Sequence, residues 1–138
     1  MFSLAVPLAV LACCLGGALG GYVIARPAEA LDHVGLAPAG GRSDGVGEAR
    51  ALGAMLLAAH AGTAGMLGYS PSIGANMALV LALAWGGSLA GRLLNSLRDG
   101  PGEGRGLRAL PFEAMMAVTL ALPFWVARNG FGGPTYSI

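Results

Sequence analysis

Tyr69-Ser70-Pro71-Ser72 stands between the apolar run Ala51 to Leu67 and a second apolar run that follows Pro71. Ser is a favoured helix N-cap, and Pro suits the first helical position because the N–H it lacks would have no helical partner there. The four residues therefore predict a tight reversal between two antiparallel helices. Working outward, span two covers about Gly45 to Gly68 and span three about Pro71 to Asp99, with Gly100-Pro101 ending it. A helix needs ~20 apolar residues to cross ~30 Å of hydrocarbon, so both runs predict membrane spans. Span three would be ~43 Å long, which leaves its last turns outside the hydrocarbon. Counting outward from Pro71 places His60 beside Ala82 and its neighbours, Arg92 beside Arg50, and Glu48 within reach of Arg92.

Composition agrees with this reading along the whole chain. The 138 residues are 55% hydrophobic and only 11% charged, with a mean hydropathy of +0.67. All eight basic residues are arginine, the net charge is +1, and no basic run exists to grip nucleic acid.

Span one runs from about Phe2 to Ala25 and is small at every fourth position: Ala5, Ala9, Cys13, Gly17 and Gly21, with Ala12, Gly16 and Gly20 beside them. Such a ridge lets another helix come close, so that dispersion contacts replace the hydrophobic drive that lipid cannot supply. Packing within the chain is the expected use of this ridge, ahead of a homodimer face. Cys13 and Cys14 are neighbours, which rarely bridge, and no further ligands stand at metal spacing; they read as small buried side chains. Val10-Leu11-Ala12-Cys13 resembles a lipoprotein processing box, and Ala18-Leu19-Gly20 a signal-peptidase site. No Lys or Arg precedes them, so an uncleaved anchor is expected.

Arg26-Pro27 ends span one. Ala28 to Leu36 then predicts a short interfacial helix with Leu31 and Val34 toward lipid, His33 reads as a solvated loop side chain, and Asp44 as the N-cap of span two. After the flexible stretch Pro101 to Gly106, span four covers about Pro111 to Ala127, with Glu113 in the first turn, where the helix dipole favours an acid. Phe124, Trp125 and Tyr69 mark the far interface. The expected fold is therefore an all-α membrane protein, a bundle of four transmembrane helices in one domain, at about 2–25, 45–68, 71–99 and 111–127. Arg26, Arg42, Arg50, Arg92, Arg98, Arg105 and Arg108 fall on one side and Arg128 alone on the other. The positive-inside rule then predicts a multi-pass protein of the bacterial inner membrane with both long loops cytoplasmic and both termini outside.

Candidate chemistry gathers at one charged edge, formed by Glu48, Arg50, Arg92, Asp99 and Glu113. Asp99 opposes the dipole at the end of its helix and needs a cation such as Arg92, Arg42 or Arg50. The first reading of this edge is an ion-pair network that fixes helix register; the second is a site for an anionic headgroup or small anionic ligand. His60 lies near the middle of span two, where an ionisable group invites a role as ligand or proton carrier. No HxxxH or HxxE partner accompanies it, and a neutral His hydrogen-bonded to a neighbouring helix is the ordinary alternative. Asn76 and Trp85 read as packing and helix-to-helix hydrogen-bonding groups. No nucleophile elbow, phosphate loop or zinc-protease motif is present, and neither cofactor nor metal is expected. His60 and Glu113 would be about 15 Å apart along the bundle, too far for one reaction centre, so an enzyme is not expected.

Arg50-Ala51-Leu52-Gly53 opening span two, Gly91-Arg92 with Ser96 and Asp99-Gly100 closing span three, and Glu113 opening span four resemble a family of small, uncharacterised bacterial four-helix membrane proteins classed as a domain of unknown function. The layout of one long loop followed by a tight central hairpin is similar, more distantly, to the DoxX group. The resemblance covers about residues 2 to 127; where the family often has paired glycines, this chain has Gly53 followed by Ala54. It implies the fold, with Arg50, Arg92, Asp99 and Glu113 as signature positions, and no established activity. The expected function is structural or accessory, in association with the lipid bilayer and either with itself as a homo-oligomer or with other membrane subunits. The alternative is a small transporter or a lipid- or anionic-ligand-binding protein using the Arg92 edge and His60, which requires a polar cavity connecting the two.

Overall fold

The computed structural model describes residues 2–33, 44–99 and 107–128. Helices α1 (Phe2–Ala25), α2 (Pro27–His33), α3 (Asp44–Tyr69), α4 (Pro71–Asp99) and α5 (Leu110–Arg128) follow in order, and a 3-10 turn at Leu107–Ala109 leads into α5. Four of them, α1, α3, α4 and α5, are long and apolar enough to cross a membrane, so the chain is an all-α, multi-pass membrane bundle. Among the described residues there is no strand. The four long helices start and stop within one residue of the spans expected from sequence.

The long helices form a closed ring: α1 lies between α3 and α5, and α4 completes the ring by packing on both of these. Their inward faces follow the helical repeat. Ala5, Ala9, Ala12 and Cys13 on α1, His60, Thr63 and Leu67 on α3, Ala75, Ala78 and Ala82 on α4, and Glu113, Met116 and Leu120 on α5 are all buried. The large apolar side chains mostly face outward instead, among them Leu4, Leu11, Leu52, Met55, Val80, Leu83 and Val118. Small residues inside and large ones outside would be unstable in water, but in lipid they maximise contact between backbones at no hydrophobic cost.

Two close approaches set the helix spacing. A Cβ added to Gly20 would lie 2.6 Å from both the Gly53 carbonyl oxygen and the Leu57 nitrogen, so α1 and α3 touch backbone to backbone at that crossing. A Cβ on Gly74 would run into the Leu67 backbone, so α3 and α4 are equally close beside their turn. That turn is the single residue Ser70, whose N–H donates to Met66 O at 2.8 Å while its own carbonyl accepts from the Gly74 N–H at 2.8 Å. Pro71 starts α4, as the sequence predicts.

At the other end the chain barely leaves the helical state between α1 and α2. The Arg26 N–H donates to Tyr22 O at 2.8 Å, and the Ala30 N–H donates to Arg26 O at 3.0 Å. Glu29 receives Arg26 Nη1 at 3.2 Å and the Tyr22 hydroxyl at 3.2 Å, exposed contacts that orient α2 more than they stabilise it. His33 differs from its expected loop setting: it ends α2, with Nδ1 2.7 Å from Glu29 O. Leu31 is half-buried, with its Cδ1 3.9 Å from where a Cβ on Gly45 in the first turn of α3 would sit. Val34 lies outside the described residues.

Candidate binding site at the polar end of the bundle

The hairpin connections bring the last turns of α1 and α4, the whole of α2, and the first turns of α3 and α5 to one end of the bundle. Inward from that end lies His60. It is 0% exposed, and both ring nitrogens are occupied: Nδ1 lies 2.7 Å from the Leu56 carbonyl, and Trp85 Nε1–H donates to Nε2 at 3.1 Å. A carbonyl oxygen only accepts and an indole N–H only donates, so these partners assign the neutral tautomer with the proton on Nδ1. Gly16 of α1 covers the ring; a Cβ there would overlap Nε2 and Cδ2. With both nitrogens bonded, His60 has no lone pair left for a metal and no spare proton to relay. Among the described residues, no three His, Cys, Asp or Glu side chains cluster to hold a metal ion.

Trp85 transmits this anchoring across the bundle. Its ring meets His60 edge-on at 6.0 Å and Phe112 edge-on at 5.5 Å, so α3, α4 and α5 are joined by one aromatic chain. Trp85 is thus a helix-to-helix hydrogen bonder, as its sequence position predicts. Asn76 is not: its Nδ2 donates to Ser72 O of its own helix at 3.1 Å.

One and two turns beyond Trp85, α4 presents Ser88 and Arg92, four residues apart and hence on one face. Both reach Glu113 in the first turn of α5. Arg92 Nε donates to Glu113 Oε1 at 2.7 Å, and Ser88 Oγ donates to the same oxygen at 2.8 Å. The pair is unevenly buried, with Arg92 32% and Glu113 3% exposed at the side chain. Two consequences follow from the geometry. Among the described residues, the terminal nitrogens of the Arg92 guanidinium have no hydrogen-bond partner, and neither does the buried Glu113 Oε2.

Arg92 and Glu113 line a cleft of about 700 Å³. Its apolar wall is Leu19, Trp85, Phe112 and Ala109; its polar wall adds Asp32 and His33 from α2 and Arg108 from the 3-10 turn. The seven residues from Trp85 to Arg92 span about 10 Å of helix, so the aromatic floor and the guanidinium stand at different depths.

The five residues of the expected charged edge part company. Arg92 and Glu113 pair. Glu48 and Arg50 are exposed on α3 and form no ion pair among the described residues. The Asp99 side chain and Arg42 lie outside the described residues. His60 does not line the cleft; it sits behind Trp85, which does. Ser88, Asp32, Arg108 and Phe112 were not singled out by sequence. The four-residue interval between Ser88 and Arg92 is a signal that points to Ser88, whereas Asp32 enters only because α2 folds back over the bundle end. Comparison with protein-family models, with curated proteins and with solved structures found no match.

Proposed function

We propose that this multi-pass membrane protein binds a lipid-like amphiphile with a phosphate-bearing headgroup in the cleft at its polar end. The observation that carries the reading is one cavity of about 700 Å³ shared by two arginines and two large aromatic rings. That volume falls within the usual range for small-molecule sites, and the mixed lining suits a ligand with a charged head and an apolar body. Arginine matches phosphate geometry with its planar fork. Ser88 and Arg92 both address Glu113 Oε1, which holds the Nε side of the guanidinium and leaves the fork for a ligand. The test is native mass spectrometry after exchange into lipid-free detergent. The parent should retain phospholipid, and Arg108→Ala, at an exposed position, should retain several-fold less with unchanged helicity. A parent that retains none, or a variant that retains as much, refutes the reading.

A second reading, an accessory protein that associates with itself or with other membrane subunits, is supported by the outer face of α3. Gly47, Ala51, Ala54, Ala58, Ala61, Gly65 and Gly68 recur at alternating four- and three-residue intervals, and all are exposed. A small-residue stripe of this period suits a second helix at close range. Crosslinking in mild detergent that yields only monomer counts against it. The arginine distribution supports a bacterial inner-membrane location with the polar end in the cytoplasm, since Arg26, Arg50, Arg92, Arg98 and Arg108 lie there and Arg128 lies at the opposite end.

A further inference from the structure

We infer that the cleft selects a headgroup carrying a protonated primary amine next to its phosphate, as in an ethanolamine phospholipid. This rests on the amphiphile-binding reading and concerns the other half of the headgroup. Glu113 is the key residue. Its side chain is 3% exposed, it lines the cleft, and Oε2, which is covered from solvent, has no donor among the described residues although Oε1 has two, so a headgroup reaches Oε2 through a side-chain shift at the cleft wall. A buried carboxylate oxygen in that position calls for a donor, and a charged one most of all. An ammonium supplies up to three N–H groups.

Charge balance points the same way. The polar wall holds two guanidiniums, Arg92 and Arg108, and two carboxylates, Asp32 and Glu113, beside His33. With two of each the wall is formally neutral, so a zwitterion preserves the balance, whereas a purely anionic headgroup would leave negative charge in excess. The spacing also fits. Arg92 and Glu113 are bonded to each other at 2.7 Å, so the guanidinium fork and Oε2, both without a partner among the described residues, are near neighbours. A phosphate and an ammonium joined by two carbons are likewise close. A water on Oε2 would satisfy its need for a donor but would confer no headgroup preference. Leu19, Trp85 and Phe112 supply the apolar wall for the start of acyl chains, which favours a lipid over a free phosphoamine.

The test is competition at fixed acyl chains, read by native mass spectrometry on the full chain. Phosphatidylethanolamine should exceed phosphatidylcholine and phosphatidylglycerol by about tenfold, the scale of one charge-assisted hydrogen bond. Stepwise N-methylation of the amine should erode the preference as N–H donors disappear, which needs no variant. Glu113→Gln keeps an oxygen for Ser88 and Arg92 but replaces Oε2 with an amide donor; it should bind phospholipid with the preference abolished. Equal binding of ethanolamine and choline lipids by the parent overturns the inference while leaving amphiphile binding intact. Absence of any phospholipid binding overturns both. Glycerophosphoethanolamine binding as tightly as the lipid would support the headgroup chemistry and assign it to a soluble ligand.

Discussion

Replacing Gly16 with Ala places a methyl group inside the space of the His60 imidazole, and the ring cannot turn aside without losing a bond at each nitrogen. Overpacking of a close-packed interior costs about 1–3 kcal/mol. Side-chain hydrogen bonds in membrane bundles contribute about 0.6 kcal/mol each on average, so the two at His60 add about 1 kcal/mol. Ala gains up to about 1 kcal/mol over Gly in a helix interior. The net destabilisation should be about 1–3 kcal/mol. Gly21→Ala in the same helix is the control, because nothing lies within 4 Å of its added Cβ, and it should be neutral or stabilising. Equilibrium unfolding in mixed micelles gives both values. The decisive measurement is the cycle with His60→Ala: once the ring is gone, Gly16→Ala should lose its cost. If the cost persists in full without His60, or if Gly16→Ala behaves like Gly21→Ala, the placement of His60 against α1 is wrong.

Gly74→Val should fail more severely, because its Cβ meets the Leu67 backbone rather than a rotatable side chain, and Gly65→Ala, in open space, should not. A fluorescence-detected melting curve should show the first lose most of its folded fraction and the second match the parent. Arg92→Ala should cost about 2–3 kcal/mol, below the ~3–5 kcal/mol for breaking a fully buried pair because Arg92 is 32% exposed, and Glu113→Gln less than about 1.5 kcal/mol. The asymmetry arises because the first leaves a buried carboxylate with Ser88 alone, and equal effects from the two changes would argue against the Arg92–Glu113 pairing.

The hairpin was legible because Ser70-Pro71 is a local signal: capping and a missing N–H act within one turn. The four helices were legible for a similar reason, since length and apolar content decide whether a segment crosses lipid. Which faces meet was not. Small residues cover both the inner and outer sides of α3, so periodicity alone cannot tell the His60 face from the Ala54, Ala58 and Ala61 face. The hairpin count set His60 beside Ala82, and the actual partner, Trp85, lies one turn further along because the indole is long enough to reach back. Glu113 was read through the helix dipole, a local effect, while its pairing with Arg92 depends on the register between α4 and α5. The segment joining those helices carries no periodic signal from which that register follows. The cleft combines side chains from α1, α2, α4, α5 and the 3-10 turn, and no single stretch of sequence encodes it.

The single-residue turn at Ser70 has a consequence for how the protein is made. Span α3 is the least apolar of the four, and its buried imidazole takes its Nε2 donor from Trp85, twenty-five residues downstream. At about 5–20 residues per second of synthesis, that donor emerges about 1–5 s after the acceptor. An α3 released alone into the bilayer during this interval would carry an unsatisfied nitrogen into hydrocarbon. With Ser70 as the whole connector, the second helix cannot lag far behind in space. The short connector therefore predicts that the two spans enter the bilayer as one paired unit, and crosslinking of staged translation intermediates that finds α3 in lipid before α4 emerges would refute this.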